Sequence, residues 1–88
     1  VARYSLRIKK WARKELESIA TKADRRRIIQ RIKLLVGNPR PPGASKLSGL
    51  ERYRIRQGRN RILHSIEDSV LVIHVIEIGG RKNVYQSK

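Results

Sequence analysis

Arg52, Arg54 and Arg56 recur at every second position, with Tyr53 and Ile55 between them. Successive side chains of an extended strand point to opposite faces, so this spacing puts three guanidinium groups on one sheet face and the two apolar side chains on the other. Like charges at neighbouring same-face positions destabilise a strand, so a purely structural sheet gains nothing from the arrangement. Such a face can hold anions. The planar fork of arginine suits bidentate contacts to phosphate oxygens, which points to a nucleic-acid backbone as the ligand. Arg59 and Arg61, just past Gly58, and Arg81 and Lys82, just past Gly79-Gly80, can extend the patch across neighbouring strands.

The remaining residue types narrow the chemistry. The seven acidic residues (Glu15, Glu17, Asp24, Glu51, Glu67, Asp68 and Glu77) are scattered along the chain, and no cluster resembles a magnesium site. Cysteine does not occur, which excludes disulfides and thiolate metal sites. His64 and His74 share sequence parity with Ile62, Ile66, Val72 and Ile76, which assigns them to the core side rather than to a two-histidine nuclease. Neither a metal nor a cofactor is expected. Arginine, lysine and tyrosine are enough for metal-free RNA cleavage, in which a 2′-hydroxyl attacks the neighbouring phosphate. The protein must then orient the chain, neutralise a developing dianion and move two protons. Arginines serve the second task directly. Tyr85 is the candidate proton-transfer group, because guanidinium neighbours favour its phenolate over the usual pKa of about 10. Arginine is a poor general acid, so such a site relies on substrate positioning and calls for an external scaffold to present the RNA.

These residues need a frame, and 88 residues with 22 Lys+Arg against 7 Asp+Glu, a formal charge of +15, allow one basic domain over residues 1–88. Hydrophobic residues make up 39% and fall in periodic runs, as in a folded domain and unlike a disordered basic tail. Tyr4, Leu6 and Ile8 alternate as in a half-buried strand. Trp11, Ala12, Leu16, Ile19 and Ala20 follow at helical spacing, predicting a helix of about three turns. Asp24 is placed to cap a second helix, whose Ile28, Ile32, Leu35 and Val36 recur until Gly37-Asn38-Pro39. Pro39 to Ser45 reads as a loop crossing the molecule. Three strands then form a meander, one through Tyr53 and Ile55, one through Ile62, Leu63 and Ile66, and a central one from Val70 to Ile78. Val84 and Tyr85 lie in a short extended tail. The expected fold is α+β, βααβββ, with a helical hairpin on one face of a twisted, mainly antiparallel sheet. The longest apolar stretch, from Val70 to Val75, is far short of the ~20 residues that span a bilayer, and the first residues lack the pattern of a secretory signal. A cytoplasmic location without a membrane partner is expected.

Several segments carry a resemblance. Lys46-Leu47-Ser48-Gly49-Leu50, Tyr53-Arg54-Ile55-Arg56-Gln57-Gly58, Arg61-Ile62-Leu63 and Ile78-Gly79-Gly80-Arg81-Lys82-Asn83-Val84-Tyr85 resemble, in order and spacing, the RelE toxins of the bacterial RelE/ParE toxin–antitoxin superfamily. The resemblance covers essentially the whole chain and is most specific from Lys46 to Tyr85. It implies a βααβββ toxin that enters the ribosomal A site, cuts mRNA there without metal, and is neutralised by a RelB-like antitoxin. The toxin–antitoxin complex would bind operator DNA through the antitoxin. Carried over by position, Arg54 and Arg56 match the basic pair that grips RNA and stabilises the reaction, and Arg61 matches the arginine on the scissile phosphate. Arg81 matches the arginine of charge stabilisation or leaving-group protonation, and Tyr85 the C-terminal tyrosine that stacks on the base or helps move the proton. Lys46 matches a basic position for RNA or ribosome contact, a role also expected of Arg52, Arg59 and Lys82. Many relatives have an aromatic residue at Asn60, a tyrosine at His64, a histidine at Gly80 and an aspartate at Asn83, departures that imply attenuated cleavage. Two other readings stay open at this point. One is a ParE-like gyrase poison, which shares the fold but lacks the Arg and Tyr set; the other is a non-catalytic basic ribosome- or RNA-binding module.

Overall fold

A computed structural model describes residues 3–47 and 51–80. The chain opens with strand β1 (Ser5–Ile8), followed by helices α1 (Lys10–Glu17) and α2 (Lys22–Leu34). Four strands complete the fold: β2 (Ser45–Lys46), β3 (Arg52–Gln57), β4 (Asn60–Glu67) and β5 (Val72–Gly80). Their order across the sheet is β1-β5-β4-β3-β2. The helical hairpin and the loop after it carry the chain from one sheet edge to the other, and the meander β2 to β5 then sweeps back to β1. The pairing of β1 with β5 is parallel, whereas the other three pairings are antiparallel. The α+β class, the helical hairpin and the mainly antiparallel sheet are as expected from the sequence; the two-residue β2 is an additional strand at the end of the expected loop.

The helices cover one sheet face. Ala12 of α1 and Ile28 and Ile32 of α2 pack on Ile62, Val75 and Ile78, with Leu6, Ile8, Leu16 and Ile19 around them. A second seam joins Leu35 to Ile55 and Ile73, flanked by Tyr4, Leu6 and Ala44. Leu6 belongs to both seams and links them. Burying an Ile or Leu side chain fully stabilises by about 1.5–3 kcal/mol, so these residues fix which face of each strand turns inward.

Four local readings are corrected. The first helix ends at Glu17, just over two turns long, and leaves Ile19 and Ala20 outside it. Ser18 stops it by donating its hydroxyl to the Glu15 carbonyl, while the Arg25 side chain donates to the carbonyl of Ile19. The second helix is capped by Thr21, whose Oγ1 accepts the Asp24 backbone N–H at 3.2 Å, so Asp24 sits in the first turn rather than at the cap. The last strand begins at Val72; Val70 and Leu71 are exposed turn residues, and Leu71 has a left-handed φ of 55°. It is flanked by β1 and β4, and the centre of the sheet is β4.

The parity of β5 is the fourth correction. Leu63 pairs with Glu77 and His64 with Val75, so Ile76 is an extra residue in a β-bulge. The inward set is therefore Ile73 and Val75 before the bulge and Ile78 after it. His74 consequently lies on the open face, whereas His64 is buried on the helix side as expected. The two histidines occupy opposite faces and form no pair.

Candidate functional site

The β3–β4 hairpin is built to present arginines. Residues 52–61 include five of them and no acid. Gln57 pairs with Asn60 across a two-residue turn in which Gly58 has a φ of 60°, a conformation that glycine adopts without the Cβ penalty of other residues. Tyr53 and Ile55 are buried against the helix side, so Arg52, Arg54 and Arg56 lie on the open face. On β4, Arg54 stands opposite Leu63 and Arg56 directly opposite Arg61, which the buried Ile62 turns to the same face. Directly opposed side chains have their Cβ atoms about 4.5–5.5 Å apart, so Arg56 and Arg61 set two positive charges side by side. Arg59 is exposed at the turn. None of these five arginines has an ion-pair partner among the described residues.

β5 completes one border of this cluster. Gly79 lies opposite Arg61 and Gly80 opposite Asn60, so the last described residue stands beside the hairpin end. Arg81, Lys82 and Tyr85 follow in the chain and lie outside the described residues, as does Asn83. The pairing of Lys46 with Tyr53 puts Lys46 on the opposite face from Arg54, where its Nζ lies 3.0 Å from Glu51. Lys46 is thereby separated from the cluster, and its pKa is raised mainly by that hydrogen bond to Glu51.

Behind the cluster is an anchor that the sequence reading missed. Arg40, in the α2–β2 loop, reaches Glu51 at 2.7 Å and Asp68 at 2.8 Å, and its Nε donates to the Tyr53 hydroxyl at 3.0 Å. Its guanidinium carbon sits 5.5 Å from the Tyr53 ring centroid, and Tyr4 donates its hydroxyl to Asp68 at 2.6 Å. The start of β1, the loop, the start of β3 and the β4–β5 turn thus meet at one guanidinium. The same bonds hold Asp68 and Glu51 below the usual carboxylate range, Arg40 being the principal cause in each. His64 stacks on Tyr53 with centroids 5.7 Å apart and donates Nε2–H to the Pro39 carbonyl at 2.8 Å. Burial pushes its pKa down, against a smaller opposing effect of the carbonyl. His64 is therefore a neutral packing residue behind the strand, remote from the open face. Asn60 and Gly80, two other departures from the RelE pattern, do border the cluster.

At the far edge of β5, beyond the end of β1, Glu15 of α1 accepts the Ile78 backbone N–H at 3.1 Å. Desolvation raises the pKa of this carboxyl. Among the described residues no helix is long and apolar enough to cross a membrane.

No protein-family model matches the chain, and no curated protein matches it. Solved structures do. The chain superposes on the archaeal RelE of the RelE-RelB complex from Pyrococcus horikoshii OT3 with a TM-score of 0.76 and 28% identity, covering 89% of this chain and 94% of that one. The isolated RelE toxin of E. coli gives 0.75 at 25% identity, covering 96% and 93%. This chain has a RelE-type toxin fold. The RelB-RelE complex of Methanococcus jannaschii extends the likeness, with a TM-score of 0.71, 23% identity and coverage of 92% and 96%. The RelE fold therefore recurs here nearly end to end, with the arginine hairpin on its open sheet face.

Proposed function

We propose that this chain is the toxin of a toxin–antitoxin pair and acts as a ribosome-dependent, metal-independent endoribonuclease that cuts mRNA in the A site and stops translation. The observation that carries the reading is the convergence of Arg54, Arg56 and Arg61, without ion-pair partners among the described residues, on the open face of a RelE fold. In the proposed reaction the 2′-oxygen attacks the adjacent phosphorus, the bond to the 5′-oxygen breaks, and a 2′,3′-cyclic phosphate and a 5′-hydroxyl are left. Arg56 and Arg61 neutralise the charge that develops on the non-bridging oxygens, the step at which preorganised donors contribute most. Arg54 and Arg52 hold the strand, with Arg59 at the rim. Tyr85 is assigned proton transfer or base stacking, Arg81 charge stabilisation or leaving-group protonation, and Lys82 a backbone contact. A folded hairpin of fixed cations needs a substrate held equally still, and the ribosome supplies that order.

A RelB-like antitoxin is the proposed protein partner, consistent with neighbours solved as RelE-RelB complexes. The complex would meet operator DNA through the antitoxin, and the setting is the cytoplasm. The test is Arg61→Ala on programmed ribosomes. Cleavage is expected to collapse while ribosome binding persists; parallel loss of both would favour a binding module. Inhibition of gyrase supercoiling by the purified wild-type chain would favour the ParE-like activity.

A further inference from the structure

The open face carries a second group of residues at its other end. Arg7 of β1 lies opposite His74 of β5, His74 opposite Ser65 of β4, and Ser65 opposite Arg52 of β3. Four strands thus contribute one residue each to a single transverse row. Their chain neighbours Leu6, Ile73, Ile66 and Tyr53 turn to the helix side, which leaves all four on the open face. Arg7 and Arg52 are exposed, and neither has an ion-pair partner among the described residues. His74 is half-buried, with Nε2 at 2.6 Å from the Glu67 carboxylate. That carboxylate accepts, so Nε2 bears the proton and the imidazole is held in one orientation. Two guanidinium groups against one carboxylate leave the row cationic.

The spacing sets what this row can bind. Ser65 is four positions along β4 from Arg61, and Arg52 four positions along β3 from Arg56, so the two rows lie about 13 Å apart. A phosphate centred on one row therefore lies about 13 Å from a phosphate centred on the other. Half-buried Leu63 lies between the rows, with Arg54 on one side of it and Glu77 on the other.

We propose that Arg7, Ser65 and Arg52, with His74 held by Glu67 between them, form a second phosphate-binding subsite, which takes a phosphodiester of the same RNA strand at least one nucleotide away from the one held by Arg56 and Arg61. The subsite rests on the reading of the open face as an RNA surface, and it adds strand direction and length to that reading. A single strand laid along β4 is gripped at both ends, with the scissile phosphate at Arg56 and Arg61 and the intervening nucleotide over Leu63.

The experiment uses the full chain and two 2′-O-methyl RNAs, a hexamer and a dinucleotide with one phosphodiester, with affinity read by fluorescence anisotropy over a series of salt concentrations. Each phosphate contact to a single strand contributes about 0.7 to the slope of log affinity against log salt. Arg7→Gln is expected to lower the hexamer slope by about 0.7 and to leave the dinucleotide unchanged. Lys33→Gln, which removes an equal charge from the helix side, should alter neither, and Arg56→Gln should weaken both. Independently of any substitution, the amide resonances of Ser65 and His74 should shift with the hexamer and not with the dinucleotide. An Arg7→Gln slope equal to that of Lys33→Gln, or silent Ser65 and His74 amides with a bound hexamer, would overturn the subsite alone. No effect of Arg56→Gln on either RNA would overturn the RNA surface itself.

Discussion

Arg56→Gln should make the protein more stable while it removes activity. Arg56 and Arg61 are directly opposed on adjacent antiparallel strands, and neither is paired with an acid among the described residues. Cross-strand pairs contribute roughly 0.2–1 kcal/mol, and opposed like charges cost a similar amount. Arg56 is exposed, so solvent screening keeps the cost in the lower half of that range, about 0.2–0.5 kcal/mol. For a chain of this size that relief is worth about 1–4 °C in Tm. Glutamine keeps the length and hydrogen-bonding capacity of the side chain, so the charge is the main thing removed. The assay is thermal unfolding by circular dichroism at about 0.1 M and about 1 M salt, where the screening length falls from about 10 to 3 Å. The gain should be present at low salt and vanish at high salt, while cleavage on ribosomes drops. An unchanged or lowered Tm at low salt, or a gain that survives 1 M salt, would refute the claim that these arginines are held together at a cost for the sake of an anion.

Other expectations probe the frame. Ile62→Ala, at a fully buried position between α2 and β5, should cost about 2–5 kcal/mol in denaturant unfolding. Thr21→Ala should destabilise by about 1 kcal/mol through loss of the α2 cap, measured in the same way. His64 has a depressed pKa in the folded protein, so the unfolded chain takes up its proton first. Its stabilisation is complete above the unfolded value of about 6.5 and declines as pH falls below it. His64→Phe should flatten the stability profile in that window.

The parts legible in the sequence are those with unbroken local periods. The strict alternation from Arg52 to Arg56 gave the correct face, because β3 has no bulge and its Tyr53 and Ile55 are anchored inward. The helical hairpin was legible from Ile28, Ile32 and Ala12, whose spacing survives in the core. The parity of β5 was not, since the bulge at Ile76 inverts it midway and moves His74 to the open face. The start of that strand was misplaced because Val70 and Leu71, apolar in type, are spent on a turn with a left-handed residue. The brief pairing of Ser45 and Lys46 is too short to leave a pattern, and it alone decides that Lys46 faces away from Arg54. The Arg40 anchor joins Tyr4, Glu51, Tyr53 and Asp68, residues up to 64 positions apart, and no local pattern reports it. Arg81, Lys82 and Tyr85 stand on the likeness to RelE toxins together with the position of Gly80 beside the hairpin end.

The most direct test of the central claim is primer extension on an mRNA incubated with the purified protein and programmed ribosomes. Parallel reactions contain mRNA and protein without ribosomes. Cuts confined to the A-site codon and found only with ribosomes are the expected result. Cuts on free mRNA, or none in either reaction, would contradict it.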